Sequence, residues 1–524
     1  MTGSVLLATS VGLADVGAVL APIVLVAGGV LLLLLETATH SESRAHLPWV
    51  TALVAVVAAA SAFWGAGDTT TAFGGSLAVD AFSRFFTVVI CGSLALSALG
   101  AQIYLQDRKL ARGEFYGLAT LSASGMVMLT MAADLLVLFV SLEVMSIAIY
   151  ALVAFRRDQQ RSVEAAFKYL VLGAFSSALF LYGVALLYVD TGHLDLAGIA
   201  AGARGEVSGL FLTGAGLAAV GFAFKIAAVP FHMWTPDVYE GAPTPTTAFM
   251  AAGVKAAAFA AFLRLLLVAL PAPSISVGDG GWGQILYVLA LLTVVLGNAL
   301  ALVQDNVKRM LAYSSIAHAG YALLAVVAAA WGGPALTSSV LFYLLVYAAT
   351  SIGAFAVVGA VEKKRSEGQQ ATGHIDEVAG LASKHPALAF AMTVFMLSLA
   401  GVPPTGGFIA KLDIFRALFQ TAAHSETMQR PLYILAVISI LASVLGAYYY
   451  LRVVVYMYMK PAVEQAEEGA APRRFGAAFG TGLVIATLAV LLLGLWPAKV
   501  SSFAQDSVRS TFKTGPHPVA VVQR

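Results

Sequence analysis

The sequence predicts an all-α polytopic membrane protein of about fourteen transmembrane helices. Three observations predict it. The 524 residues are 60% hydrophobic and only 11% charged, against roughly 25% charged in a typical soluble domain. Apolar runs long enough to cross a bilayer recur along the whole length. The loops between them alternate in positive charge.

Taken in order, the spans fall at 17–36, 48–66, 81–105, 113–132, 134–155, 163–189, 207–231, 243–269, 282–303, 308–330, 336–361, 386–424, 431–459 and 475–496. The first has no Lys or Arg before it, so it lacks the cationic start of a signal peptide and reads as a retained helix. The stretch 386–424 is too long for one straight crossing. Gly401, Pro403, Pro404, Gly406 and Gly407 interrupt it, so it reads as one broken helix, with two separate spans as the alternative.

Alternate loops beginning with the first contain Arg44, Arg108, Lys109, Arg112, Arg156, Arg157, Arg161, Lys308, Arg309, Lys363, Lys364, Arg365, Lys384, Lys460, Arg473 and Arg474. The short loops of the other set contain only Arg204 and Arg430. The first set is therefore cytoplasmic, and both termini face outward. Lys499, Arg509, Lys513 and Arg524 in the C-terminal tail run against that assignment.

Several functions are excluded. A net charge of +2 argues against a nucleic-acid surface. Cys91 is the single cysteine and lies in an apolar span, so the chain has no iron–sulfur cluster, cysteine-based zinc site or internal disulfide. No phosphate-binding loop of the form GxxxxGK followed by Ser or Thr is present, and no glycine fingerprint follows a strand. No cofactor, metal or nucleotide is expected in this chain.

An internal repeat is visible. GFAFK at Gly221–Lys225 recurs as GFIAK at Gly407–Lys411. SIAIYAL from Ser146 recurs as SIAHAGYALL from Ser315. Each match is five spans apart, and an odd number of spans inverts the second copy. Inverted repeats with broken helices are a transporter architecture whose ion site lies near mid-membrane.

The candidate chemistry lies in a few ionisable residues inside these spans. A charge at the centre of a membrane helix costs about 2.5–3.5 kcal/mol on insertion scales, so each calls for a reason beyond packing. Glu143 lies near the middle of span 5. A lysine a few ångströms away would hold it charged, and separating the two would load or release a proton. Lys225 lies four residues after Gly221 and five before Pro230, where a loosened helix exposes carbonyls to an ammonium. Lysine suits a proton carrier because arginine stays charged. Lys255 has about a dozen residues on either side, roughly 18 Å at 1.5 Å rise, too far to snorkel. Lys411 follows the Pro-Pro-Thr-Gly-Gly break and repeats the Lys225 arrangement. Asp413 and Arg416 read as a solvated or paired segment.

His318 in span 10 has two readings, a relay between lysines through water and a hydrogen-bonded core residue. His232, Asp237 and Glu240, in the turn after span 7, either gate cytoplasmic entry or satisfy the turn backbone. Glu164 and Lys168 are spaced i,i+4 as a helix ion pair, from which Lys168 could also tune Glu143. Arg84, Arg264 and Arg452 have no assigned role.

The stretches VPFHMWTPDVYEGAPTPTTAFMAAGVKAAAF, NVKRMLAYSSIAHAGYALL and SLAGVPPTGGFIAKLDIF resemble the antiporter-like membrane subunits of bacterial proton-pumping NADH:quinone oxidoreductase (complex I). The likeness spans roughly spans 3–13. It implies two inverted five-helix repeats, spans 4–8 and 9–13, with helices 7 and 12 broken. The corresponding units are 1–112 for the flanking helices, 113–270 and 271–460 for the repeats, and 461–524 for the last helix and tail. Glu143 and Lys225 would be the coupled pair of the first half-channel, Lys255 the central connection and Lys411 the gate of the second. Lysine rather than glutamate at 411, and the lack of a long lateral helix, narrow the choice among the sister subunits.

The resemblance further implies a bacterial plasma-membrane location. Sister membrane subunits and the lipid bilayer would be the partners, with FMN and iron–sulfur clusters in other subunits and no nucleic acid. Mrp-type cation/proton antiporter subunits share the core and are the alternative.

Overall fold

The computed structural model describes residues 12–38, 44–64, 69–203, 207–270, 281–362, 373–461 and 475–512. Of the charges counted above, Arg204, Lys363, Lys364, Arg365, Arg473, Arg474, Lys513 and Arg524 lie outside the described residues.

Every expected span is occupied by a helix. They are α1 (Leu20–Ala38), α2 (Leu47–Ser61), α3 (Ala81–Gly100), α4 (Gly113–Met131), α5 (Leu135–Val153), α6 (Gln160–Thr191), α7 (Gly209–Lys225) and α8 (Thr244–Ala269). They continue as α9 (Trp282–Leu302), α10 (Val307–Gly332), α11 (Ser338–Val361), α12 (Pro386–Ala400), α13 (Gly406–His424), α14 (Gln429–Met459) and α15 (Ala477–Leu495). Among the described residues ten helices are long and apolar enough to cross a membrane by themselves. α2, α7 and α12 are apolar but shorter. The expected single span 386–424 is two helices, α12 and α13, separated by the turn Gly401–Thr405.

Local sequence sets the helix starts. The Asp80 carboxylate accepts from the Ser83 backbone N–H, and the Ser83 hydroxyl accepts from the Asp80 N–H, a reciprocal cap that starts α3. Asp134 caps α5, Ser208 caps α7 and Asn306 caps α10 through their side-chain oxygens. Span 7 is interrupted after α7. Residues 226–234 form turns, and a short helix Thr235–Gly241 returns the chain to α8.

The helices differ in how much of them is enclosed. The apolar windows of α8, α10 and α11 are 89%, 94% and 83% buried, against 33% for α1 and α15. The first three form the centre, and the less enclosed helices, α6 and α14 among them, form the outer wall. Phe167, Phe175 and Val444 on that wall are exposed apolar side chains, the arrangement a bilayer solvent allows. α4 packs on α5 and α8, and α9 packs on α10 and α14, so the helix pairing recurs with the offset of the sequence repeat.

Two elements were not expected. Thr69–Ala72 and Leu77–Asp80 form an antiparallel hairpin before α3. The C-terminal segment forms an amphipathic helix, α16 (Ala498–Thr511), packed on α3 and α11. Arg264 near the end of α8 donates to both Asp80 carboxylate oxygens, at 2.8 and 3.0 Å, and to the Thr130 carbonyl at 3.0 Å. Both side chains are about 4% exposed or less. Arg264 thus has a structural role, tying the hairpin to α4 and α8.

Candidate functional site: a buried row of lysines and hydroxyls

Lys225, Lys255 and Lys411 are all buried, at 3%, 3% and 7% exposure. Ammonium groups that far from water need hydrogen-bond acceptors, and each has them.

Lys225 is the last residue of α7. Its Nζ donates to the Ser146 hydroxyl at 2.9 Å and, at 3.4 Å, to the Tyr150 hydroxyl, both on α5. The Tyr150 and Tyr169 rings lie 5.6 and 5.7 Å away. A helix C-terminus favours a cation. The chain turns sharply there, with Ala227 at φ 60° and the Trp234 indole N–H donating to the Phe224 carbonyl at 3.1 Å.

Glu143 sits one turn from Ser146 on α5 and accepts from the Ser177 hydroxyl of α6 at 2.5 Å. Among the described residues no ion pair within 4 Å joins Glu143 to Lys225. Each group instead bonds a hydroxyl of its own, Ser177 for Glu143 and Ser146 for Lys225. Glu143 is only partly covered by this chain, beside the exposed Val140, Val144 and Ile147.

Lys255 follows a π-helical turn at Met250–Val254 within α8. Its Nζ donates to both the hydroxyl and the carbonyl of Ser315 on α10, at 2.5 Å each, and the Tyr347 ring lies 5.5 Å away. His318, one turn along α10, is buried. Its Nδ1 is 2.6 Å from the Tyr343 hydroxyl and its Nε2 is 3.1 Å from the Tyr450 hydroxyl.

Lys411 lies in the first turns of α13. Its Nζ donates to the Leu399 and Ala400 carbonyls at the end of α12, at 2.9 and 3.1 Å, and to the Ser443 hydroxyl at 2.9 Å. The Tyr321 ring is 4.9 Å from it. A small cavity of about 10 Å³ between α10, α11, α12 and α13 is lined by both His318 and Lys411. The two lysines of the repeated pentapeptide are thus placed differently. The helix break follows Lys225 but precedes Lys411, because the prolines lie on opposite sides of the two motifs.

The remaining candidates lie at the side assigned as cytoplasmic. Lys168 pairs with Glu164 at 2.8 Å, as the i,i+4 spacing predicts, and also with Asp237 at 3.1 Å. Arg309 on α10 pairs with Asp237 at 2.8 Å and with Glu240 at 3.0 Å. This network joins α6, the short helix 235–241 and α10. Burial of Asp237 pushes its carboxyl up, but hydrogen bonds from Arg309 and Lys168 outweigh that and hold it below its ordinary value. His232 is half-buried in the turn, where burial pushes its imidazole down against a hydrogen bond to the Pro230 backbone.

Sequence reasoning missed the hydroxyls. Ser146, Ser177, Ser315, Ser443, Tyr343 and Tyr450 each bond one of the ionisable groups. Two of them were visible, since Ser146 and Ser315 open the repeated SIA triplets. Ionisable Glu, Lys and His side chains bonded to hydroxyls are groups that can hold and exchange protons.

A sequence family described as NADH:quinone oxidoreductase/Mrp antiporter, TM, matches residues 132–446. The chain is 46% identical over 507 residues to NADH-quinone oxidoreductase subunit N 1 of Sorangium cellulosum, covering 93% of this chain and 97% of that one. It is 43% identical to NADH-quinone oxidoreductase subunit N of Myxococcus xanthus, covering 95% and 98%. A chain of respiratory complex I from Thermus thermophilus with bound Aureothin superposes with a TM-score of 0.73 at 35% identity, covering 93% and 99%. A chain of the Mrp complex from Dietzia shares the fold, with a TM-score of 0.79 at 21% identity, covering 96% and 98%.

Proposed function

The chain belongs to the NADH:quinone oxidoreductase/Mrp antiporter family of membrane subunits, and from that premise we propose that the buried row is its proton path. It is a proton-translocating membrane-arm subunit of NADH:quinone oxidoreductase, like its subunit N relatives, and its partners are the other membrane subunits of that complex. FMN and iron–sulfur clusters belong to other subunits, and coupling arrives through the membrane plane. The complex lies in a bacterial plasma membrane. Fourteen crossings, with the span-12 break inside one of them and residues 113–270 and 271–460 as the two repeats, put both termini outside.

One observation carries the reading. Three buried lysines, each bonded to a serine hydroxyl, lie on helices that pack around the enclosed centre of the chain. Such a cost in desolvation is expected where protons are carried. A charge change in a neighbouring subunit draws Glu143 away from the Lys225 region. Lys225 passes a proton toward Lys255, and from there it moves by His318 and water to Lys411. The break after Lys225 faces the cytoplasmic side, and α13 runs outward from Lys411, so the path is directed outward.

Lys225→Ala and Lys411→Ala should each abolish NADH-driven proton uptake into inverted vesicles while the complex remains assembled. Wild-type uptake in either variant removes that residue from the path.

A further inference from the structure

The outer end of α13 bears a second cavity that the row above does not use. It has a volume of about 410 Å³ and lies between the start of α11, the outer half of α13 and α16. Asp413, Arg416, Ser339, Phe342 and Arg509 are among its lining residues. Asp413 is 25% exposed, and Arg416 stands 3.9 Å from it.

The two cavities share one groove. On α13 the inner cavity is lined by Gly407, Ala410 and Lys411, and the outer one by Asp413, Ala417 and Gln420. Residues 410, 413, 417 and 420 follow the three- and four-residue spacing of one helix face. On α11 the inner cavity is lined by Tyr343, Val346 and Thr350, and the outer by Ser339 and Phe342. Ser339, Phe342, Val346 and Thr350 again share a face. Phe342 lines the outer cavity and its neighbour Tyr343 the inner one, and both are buried. The cavity that holds Lys411 therefore ends one helical turn from a polar pocket.

We propose that this outer pocket is the mouth through which protons leave the chain, with Asp413 as the last proton acceptor, Phe342 as the plug and α16 as one wall. The proposal rests on the reading of Lys411 given above. The Lys411 ammonium gives up a proton and becomes an amine. A water admitted past Phe342 relays that proton to the Asp413 carboxylate, and the acid releases it to outside water. Arg416 and Arg509 at the rim repel other cations, which suits a mouth that passes protons alone.

The test uses the intact complex in sealed native vesicles of both orientations. Ala417→Cys places a thiol on the pocket wall, and the single native cysteine, Cys91, is buried, so labelling can be read on this chain. A membrane-impermeant anionic methanethiosulfonate, which the rim arginines do not repel, should label it from the outer face only and slow proton translocation. Asp413→Asn should cut translocation by about tenfold or more, and Asp413→Glu should restore it. If Asp413→Asn fails to assemble, the labelled Ala417→Cys complex gives the same readout. Labelling from the cytoplasmic face, or wild-type translocation in assembled Asp413→Asn, overturns the proposal. Lys411→Ala separates the two ideas. If it still pumps, the lysine path is wrong; if it is dead while Asp413→Asn pumps normally, only this mouth is.

Discussion

Ser146 and Ser315 open the same tripeptide on helices five spans apart, and each accepts a hydrogen bond from a buried lysine. Lys225 donates to the first at 2.9 Å and Lys255 to the second at 2.5 Å. The internal sequence repeat is therefore also a repeat of buried lysine–serine contacts. A hydrogen bond to a charged group contributes about 1.5–3 kcal/mol. Ser146→Ala or Ser315→Ala should thus slow proton translocation by about tenfold and leave assembly unchanged, with Thr at either site less damaging than Ala. Dye-monitored acidification of inverted vesicles checks it. Unchanged rates in both alanine variants would show the hydroxyls to be bystanders.

His318 contacts two tyrosine hydroxyls, so its role can be separated from theirs. Tyr343→Phe removes the partner of Nδ1, and Tyr450→Phe that of Nε2. If the imidazole relays protons, His318→Ala should lower the rate at least as much as either tyrosine change, by about tenfold or more. If it is a packing residue, His318→Gln should pump normally. Single-turnover proton release after an NADH pulse resolves the two.

The Gly401 turn sets where Lys411 points. Gly401 has φ +84°, and a Cβ there would stand 2.9 Å from the Lys411 Cδ. Left-handed backbone costs other residues about 1–2 kcal/mol. Gly401→Ala should lower both the melting temperature of the complex and its pumping. Gly92→Ala, where a Cβ meets nothing within 4 Å, should pump like wild type.

Removing one partner from a buried ion pair costs about 3–5 kcal/mol. Arg264→Gln should therefore release this chain from the solubilised complex on mild heating, because Asp80 is left charged and enclosed. Asp80→Asn combined with Arg264→Gln should be retained better than Arg264→Gln alone. Quantifying the chain after a temperature series checks the order.

The network at Asp237 should resist acid. A carboxyl held below its ordinary value contributes stability that is fully present above the unfolded value, and that contribution is lost as pH falls through the folded value. Asp237 is held down in this way, so the pairs to Arg309 and Lys168 should persist from pH 8 to about pH 5. Asp237→Asn should lower stability by about 1 kcal/mol, with no change in that difference across the range. A difference that vanishes toward pH 5 would count against the pairing.

The helices and the charged residues could be read from sequence because both are conspicuous against apolar runs. Lys225, Lys255 and Lys411 break such runs, and caps such as Asp134 and Asn306 mark the helix starts. The connections could not be read. Ser and Tyr are common inside membrane helices, where a serine can satisfy itself on its own turn, as Ser146 does on the Leu142 carbonyl. Sequence pairs Glu143 with Lys225 but gives neither the separation across two helices nor the hydroxyl that each one bonds. The hairpin before α3 is too short to show a period. α16 was passed over because a chain read for apolar spans hides an amphipathic one.

The π-helical turn at Met250–Val254 amounts to one surplus amino acid wound into α8. Each residue of an α-helix advances about 100° around the axis, so the segment beginning at Lys255 is rotated by that much relative to an unbroken coil. Deleting any single position from 250 to 254 would reset the angular phase and swing the ammonium off Ser315, with no change in composition. In this stretch the spacing of residues matters as much as their identity, and a gap introduced there would be more damaging than most replacements.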